Sequence, residues 1–268
     1  MSTALDMHDI VGTHDIVLLS LDTLRHDAAQ GEFLAGRLPV LSSVLPPAGF
    51  ETRQTPGSFT YAAHQAFFAG FLPTPAQPGP HPRLFALSFE GSETTDSNTF
   101  VFNDSANIVE GLAAKGYRTI CIGGVGFFNL RNPLGRVLPE LFEERYWEPG
   151  FGVTATDSTE RQVALACTRL AALPDQRVFL FINISALHQP NRHYLPGAKV
   201  DDLNSHRAAL RYVDGALAPL LGALRGRGPC LLIVLSDHGT TYGEDGWHGH
   251  RHAHPVVMTV PYAQAVLA

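Results

Sequence analysis

Four short runs of branched and aromatic apolar residues, Ile16 to Leu21, Thr119 to Ile122, Val178 to Ile184 and Leu231 to Leu235, show almost no polar alternation. A strand with one face in water alternates. A strand without alternation is covered on both faces, as in a parallel sheet wrapped by helices. Between these runs lie segments with helical spacing. Asn107 to Lys115 ends at Gly116, a C′ glycine; Thr159 to Leu173 stops before Pro174; Asp201 to Leu224 ends in a Gly-rich stretch. Repeated strand–helix–strand alternation predicts an α/β fold with a doubly wound, mainly parallel sheet and helices on both faces. No repeat or linker divides the 268 residues, so one domain spanning 1–268 is expected. The Pro-rich stretch from Pro73 to Pro82 reads as a surface loop.

In such a sheet ligands collect beyond the carboxyl ends of the strands. There the sequence places Asp22-Thr23-Leu24-Arg25-His26-Asp27 after the first run and Ser236-Asp237-His238-Gly239 after the last. Oxygen and nitrogen donors of this kind suit zinc or a similar divalent cation. Each Asp alone reads more blandly as a helix or turn cap. Thirteen histidines are unevenly spread, and the alternating His248, His250, His252 and His254 fall in a Gly-rich stretch. If that stretch is extended, alternate side chains share one face and several imidazoles enter one site. Val256 to Tyr262 follows as a buried strand, which builds the cluster into the fold. Thr60 opens a helical run through Gly70, a position that suits either a cap or a nucleophile favoured by the helix dipole. The Gly123-Gly124-Val125-Gly126 turn lacks dinucleotide-motif spacing and reads as a tight turn, with Phe127 to Asn129 candidates for a substrate pocket.

Composition narrows the partners. Net charge is −6 with no basic stripe, which argues against binding a nucleic-acid polymer. No apolar run reaches the roughly 18 residues of a membrane span, and the polar start lacks a signal-peptide pattern. The three cysteines are widely spaced in apolar segments, as suits a reducing compartment. A cytoplasmic protein without membrane contact is the expectation.

These pieces together resemble the alkaline phosphatase superfamily of phosphatases, sulfatases, phosphodiesterases and phosphoethanolamine transferases. The segments at Asp22 and Asp237 look like its two metal-binding segments, the latter continued by Gly243-Glu244-Asp245-Gly246. His188-Gln189-Pro190 is similar to the His-x-Pro element of the sulfatase and transferase branches, and Pro261 fits the Val-Pro close of the core. Thr60 to Pro73 can be laid on the sulfatase segment that carries the nucleophile, which puts Thr60 at the nucleophile and His64 at the arginine. Among the branches, small bacterial sulfatase-like hydrolases are the nearest likeness.

The resemblance implies an alkaline phosphatase-like fold and two divalent ions, zinc or else manganese. Asp22, Thr60, Asp237 and His238 would hold one ion and His188, His250 and His254 the other. His64, His248 and Arg251 would contact substrate, although Arg251 also reads as a surface residue paired with Glu244 or Asp245. It further implies hydrolysis of phosphate mono- or diesters, with Thr60 attacking phosphorus in line to give a phosphothreonine intermediate. Position 60 is neither Cys nor Ser, so the formylglycine of most sulfatases cannot form, and Thr23 stands where many sulfatases carry a second Asp. A phosphoryl or phosphoethanolamine-type transferase, a sulfate-ester hydrolase and a non-catalytic metal- or ligand-binding member of the fold are the alternatives.

Overall fold

A computed structural model describes residues 5–70, 85–86, 100–101 and 106–268. The stretch from Pro73 to Pro82, expected as a loop, lies outside them. The main sheet has seven strands: β1 (Asp15–Leu21), β2 (Glu51–Gln54), β3 (Arg118–Ile122), β4 (Glu144–Tyr146), β5 (Val178–Ile184), β6 (Cys230–Leu235) and β7 (Thr259–Leu267). Their spatial order is β2-β7-β6-β1-β5-β3-β4. Strands β6, β1, β5, β3 and β4 run parallel, and β7 runs antiparallel to both β6 and β2.

Every residue of β1 and β5 is buried, as the apolar runs require. Alternate residues serve opposite layers. Val17, Leu19 and Leu21 join Leu180, Ile182 and Ile184 in one core, whereas Ile16 and Leu18 join Phe179 and Phe181 in the other. The first core is closed by α1 (His26–Leu34), α4 (Ser158–Ala171), α5 (Leu203–Ala216) and α6 (Ala218–Arg225). The second is closed by α2 (Thr60–Ala69) and α3 (Ile108–Ala114). The fold is therefore the doubly wound α/β sheet expected. None of the described helices is long and apolar enough to cross a membrane.

The structure departs from the sequence reading at one helix, one strand start and two added strands. The single helix expected from Asp201 to Leu224 is two, because Pro219 has no N–H to continue the ladder and instead sits in the first turn of α6. The strand expected from Val256 begins at Thr259. Pro255 opens a one-turn helix capped by His254 before it. Strands β2 and β4 were not foreseen, since Glu51–Gln54 and Glu144–Tyr146 are short and polar and take strand form by pairing with β7 and β3.

The amino ends of the strands are tied by a buried charge. Asp15 Oδ1 accepts the Val178 N–H at 3.0 Å and Asp15 Oδ2 accepts Arg227 Nε at 2.9 Å. Arg227 also donates to the carbonyls of Leu170, Leu173 and Gln176. This leaves the carboxyl ends of β6, β1, β5 and β3 side by side and free to carry the site. Beneath them Phe181 meets Phe68, Phe128 and Phe142 at ring-centroid distances of 5.3, 5.4 and 5.8 Å. Phe181→Ala should lower the unfolding free energy by about 3–5 kcal/mol in denaturant titration. A loss below about 1 kcal/mol would show that the α2 layer is not held this way.

Candidate functional site

β1 delivers Asp22, β6 delivers Ser236-Asp237-His238, and β5 leads into His188, so three adjacent strand ends converge. Neither aspartate caps a helix. Arg25 is the residue at the start of α1, while Asp22 Oδ2 accepts Asn183 Nδ2 at 3.2 Å and the Thr60 hydroxyl at 3.3 Å. Asp237 Oδ1 accepts the N–H groups of Thr23 at 3.2 Å and His238 at 3.0 Å. The Thr23 N–H reaches it because Thr23 takes a left-handed φ of 62°, an unusual conformation for a β-branched residue and a mark of local strain.

Thr60 is the first residue inside α2, and Phe59, with no side-chain cap bond, precedes it. Its hydroxyl is therefore not a cap. It lies 3.4 Å from His238 Nε2 as well as beside Asp22, at a helix N-terminus whose dipole favours an anion.

Hydrogen bonds fix the histidine tautomers, because a carbonyl can only accept. His238 Nδ1 donates to Gly239 O at 2.9 Å, and His188 Nδ1 donates to Gln189 O at 2.7 Å. The Nε2 lone pair of each is left for the site, the usual arrangement for a ligating imidazole. His250 joins them, its ring centroid 4.5 Å from that of His238 and 5.4 Å from that of His188, and its Nδ1 is buried with no partner.

Burial dominates the electrostatics. It pushes the Asp22 carboxyl up, with Asp237 adding like-charge repulsion, and it pushes Asp237 up too. It pushes His238 down, and His250 down to about 3 with His238 contributing. Asp22 Oδ1 and Asp237 Oδ2 are buried without hydrogen-bond partners. Among the described residues, Asp22, Asp237 and His238 form the one group of three His, Cys, Asp or Glu donors whose ligand atoms lie within 4.8 Å of one another. Two orphaned carboxylate oxygens beside a free imidazole lone pair fit a divalent cation, and the mixed O/N set suits zinc.

Other expected residues fall elsewhere. His254 is not at the site. Its Nδ1 accepts the Val256 N–H at 3.1 Å and its Nε2 faces Asp245 Oδ2 at 3.1 Å. The extended alternation that would have aligned it stops at Gly249, and Arg251 turns the chain with a φ of 76°. His64 does not reach substrate. It is wholly buried, donates Nδ1–H to Thr60 O at 2.7 Å and accepts the Ser20 hydroxyl at 2.9 Å, so it braces α2 from beneath. His252 stacks on Trp247 and meets Thr241 Oγ1. His248 and Arg251 do border the site, and the Arg251 N–H donates to Ser58 O at 2.8 Å, docking this loop on the start of α2. It is Arg25 that pairs with Glu244, the partner weighed for Arg251.

The sequence reading missed Asn183, the lone amide in the Val178 to Ile184 run. It holds Asp22 with one side-chain atom and the Val125 N–H with the other. A buried amide interrupting an apolar strand is the signal that could have found it. Gly124 has a second duty beyond turning: a Cβ there would lie 2.3 Å from Asn183 O.

Beside Thr60 opens a cavity of about 630 Å³. Its lining combines His188, His248, His250 and Arg251 with the apolar Val125, Phe127, Leu134 and Val153 and the amides Asn129 and Asn132. The expectation that Phe127 to Asn129 line a pocket holds for Phe127 and Asn129; Phe128 is buried in the core.

The fold is that of the alkaline phosphatase superfamily, whose members are enzymes of phosphoryl and sulfate ester transfer or hydrolysis. Within it the chain belongs to the sulfatase family, whose model matches residues 16–262. No curated protein matches the sequence. Among solved structures, the C-terminal periplasmic domain of phosphoethanolamine transferase EptC from Campylobacter jejuni is similar, with a TM-score of 0.62 and 16% identity over 95% of this chain and 80% of that one. The corresponding domain of EcEptC from Escherichia coli, in complex with Zn, gives 0.66 and 11% over 96% and 74%. An alkaline phosphatase superfamily protein from Vibrio parahaemolyticus gives 0.59 and 18% over 94% and 60%. At these identities the likeness is one of fold.

Asp237→Asn keeps the acceptor for Thr23 and His238 but removes a buried charge facing Asp22. In metal-free protein it should raise the melting temperature, by roughly 2–4 °C per kcal/mol of repulsion relieved, and it should abolish the upward shift that zinc gives the wild type. A variant that melts lower yet still responds to zinc would refute this reading of the carboxylate pair.

Proposed function

We propose that the chain is a metal-dependent phosphoric ester hydrolase with Thr60 as nucleophile, acting on diesters in preference to monoesters. The observation that carries this reading is the Thr60 hydroxyl, free of any capping role, set at a helix N-terminus between Asp22 and His238. A divalent ion held by Asp22, Asp237, His238 and the Thr60 oxygen, zinc in preference to manganese, would stabilise charge on the phosphoryl oxygens and acidify the hydroxyl.

The chain's own groups do the rest. Thr60 Oγ1 gives its proton to solvent and bonds to phosphorus as the bond to the leaving oxygen breaks, that oxygen departing as an alcohol with a proton from solvent. Water then displaces Thr60 from phosphorus, releasing the phosphate product and returning a proton to Oγ1. The α2 dipole favours the anion at its N-terminus. His188 Nε2, with its lone pair fixed toward the site, is placed to receive a proton from that water. His250 and Arg251 border the same space and can hold phosphoryl oxygens. The second ion expected at His188, His250 and His254 is not part of this reading, because His254 is engaged by Asp245 and Val256 and the His188 lone pair is assigned to the proton. The apolar lining residues Val125, Phe127, Leu134 and Val153 favour a diester, because they can take an uncharged organic arm that a monoester lacks.

Transfer to an acceptor alcohol in place of water is the second reading, favoured by the fold shared with phosphoethanolamine transferases. The three free cysteines, Cys121 and Cys230 buried and Cys167 half-buried, support a reducing and hence cytoplasmic setting.

Turnover of bis-p-nitrophenyl phosphate, p-nitrophenyl phosphate and p-nitrophenyl sulfate, with metal content measured alongside, tests this reading. The diester should be favoured and sulfate poorest. Thr60→Ala should lose activity by a factor on the order of 10⁴ or more while still binding zinc through Asp22, Asp237 and His238. A Thr60→Ala protein of near wild-type activity excludes covalent catalysis, and a zinc-loaded wild type inert to all three esters points to the non-catalytic alternative.

A further inference from the structure

The loops that carry Asp22, His188 and His250 leave three different strands, yet one polar girdle, buried at Arg25, Asn191 and His206, ties them together outside the metal and phosphoryl space. Arg25, 3% exposed, lies three residues beyond Asp22. Its guanidinium grips Asp27 through Nε at 2.9 Å and Nη2 at 2.7 Å, and its Nη1 donates to Glu244. Glu244 accepts the Tyr242 N–H at 2.6 Å with its other oxygen. Tyr242 then reaches inward. Its hydroxyl accepts Asn191 Nδ2 at 2.9 Å and shares a hydrogen bond with His206 Nδ1 at 3.1 Å. The other edge of the His206 ring faces the Arg25 N–H at 3.4 Å, which closes the circuit.

Asn191 is wholly buried and commits both amide hydrogens and its side-chain oxygen here. Besides Tyr242 it donates to Leu187 O at 2.8 Å, and its Oδ1 accepts the Ser205 hydroxyl at 2.6 Å. Leu187 is the residue before His188. On the other side, Tyr242 and Thr241 pair with His248 and Gly249 in a two-stranded ribbon, and the Thr241 hydroxyl donates to Gly249 O at 3.0 Å. Gly249 is the residue before His250. The Tyr242 hydroxyl is thus the node through which the backbone ahead of His188 and the ribbon ahead of His250 are set against each other.

We propose that Tyr242 and Asn191 are positioning residues that hold His188 and His250 in register with Thr60. Neither borders the cavity beside Thr60 or belongs to the ligand set, so each acts through the two histidines. Such outer partners commonly matter for activity or metal affinity by about 10–100-fold, because groups displaced by a fraction of an ångström no longer meet the reacting atoms. The kinetic consequence rests on the phosphoric ester reading above, whereas the placement of the two imidazoles does not.

Tyr242→Phe removes the hydroxyl and keeps the ring, and Asn191→Ala removes the other half of the node. Each should reduce kcat on bis-p-nitrophenyl phosphate by about 10–100-fold, with KM little changed. The double variant should be no worse than the poorer single one, as for groups acting as a unit. Histidine-selective NMR of the protein as purified should show His188 and His250 shifted or broadened in Tyr242→Phe, with His238 unmoved. Unmoved His188 and His250 signals overturn the proposal, as does a variant that only melts earlier and keeps the wild-type kcat. If the wild type hydrolyses no ester, the functional reading fails and the NMR comparison still decides the positioning role.

Discussion

Two carboxylates buried at neighbouring strand ends are the constraint around which the rest is arranged. Asp22 and Asp237 are both fully buried, each leaves one oxygen without a partner, and their proximity makes the second negative charge harder to hold. Such a pair is unfavourable unless a cation sits between the charges or a proton remains on one of them. The surroundings favour the cation. His238 presents its lone pair because Gly239 O takes the other nitrogen's hydrogen, and Asn183 and the Thr23 N–H turn the remaining carboxylate oxygens to fixed directions. Stability is given up locally for a preformed donor set, a common trade at functional sites.

The sheet makes this trade tolerable. Apolar residues on both faces of β1 and β5 anchor the strands, and the Asp15–Arg227 pair closes their amino ends. The carboxyl ends can then hold unfavourable groups without loosening the core. Strain gathers at the same end: Thr23 and Arg251 both take left-handed backbone, one to aim an amide at Asp237 and the other to dock the histidine loop on α2. In each case an unusual conformation buys one backbone hydrogen bond at the site.

Much of this was legible in the sequence. Uninterrupted apolar runs gave away the parallel strands because burial on both faces removes alternation. Asp22, His188, Asp237 and His238 converge because neighbouring strand ends in an α/β sheet converge, and Thr60 and His250 join them from the start of α2 and from the histidine loop. Tertiary geometry was harder to read. His254 follows the His-x-His spacing, but the left-handed turn at Arg251 takes it to Asp245 instead. His64 sits one helical turn beyond Thr60, and Ser20 and the Thr60 carbonyl already engage both its nitrogens. Asn183 and the Tyr242–Asn191–His206 node carry no motif. Apart from Leu187 and Ser205, which lie 4 and 14 residues from Asn191, their side-chain partners are 36 or more residues away, beyond what local spacing can report.

Covalent catalysis at this site requires a bond between Thr60 and phosphorus. Rapid acid quench of the protein with a phosphodiester substrate, followed by peptide mass spectrometry, measures this most directly. A phosphoryl adduct on the peptide carrying Thr60, appearing before product accumulates, is the predicted result. Steady turnover with Thr60 unmodified at every time point would contradict it and assign the site's chemistry to direct attack by water.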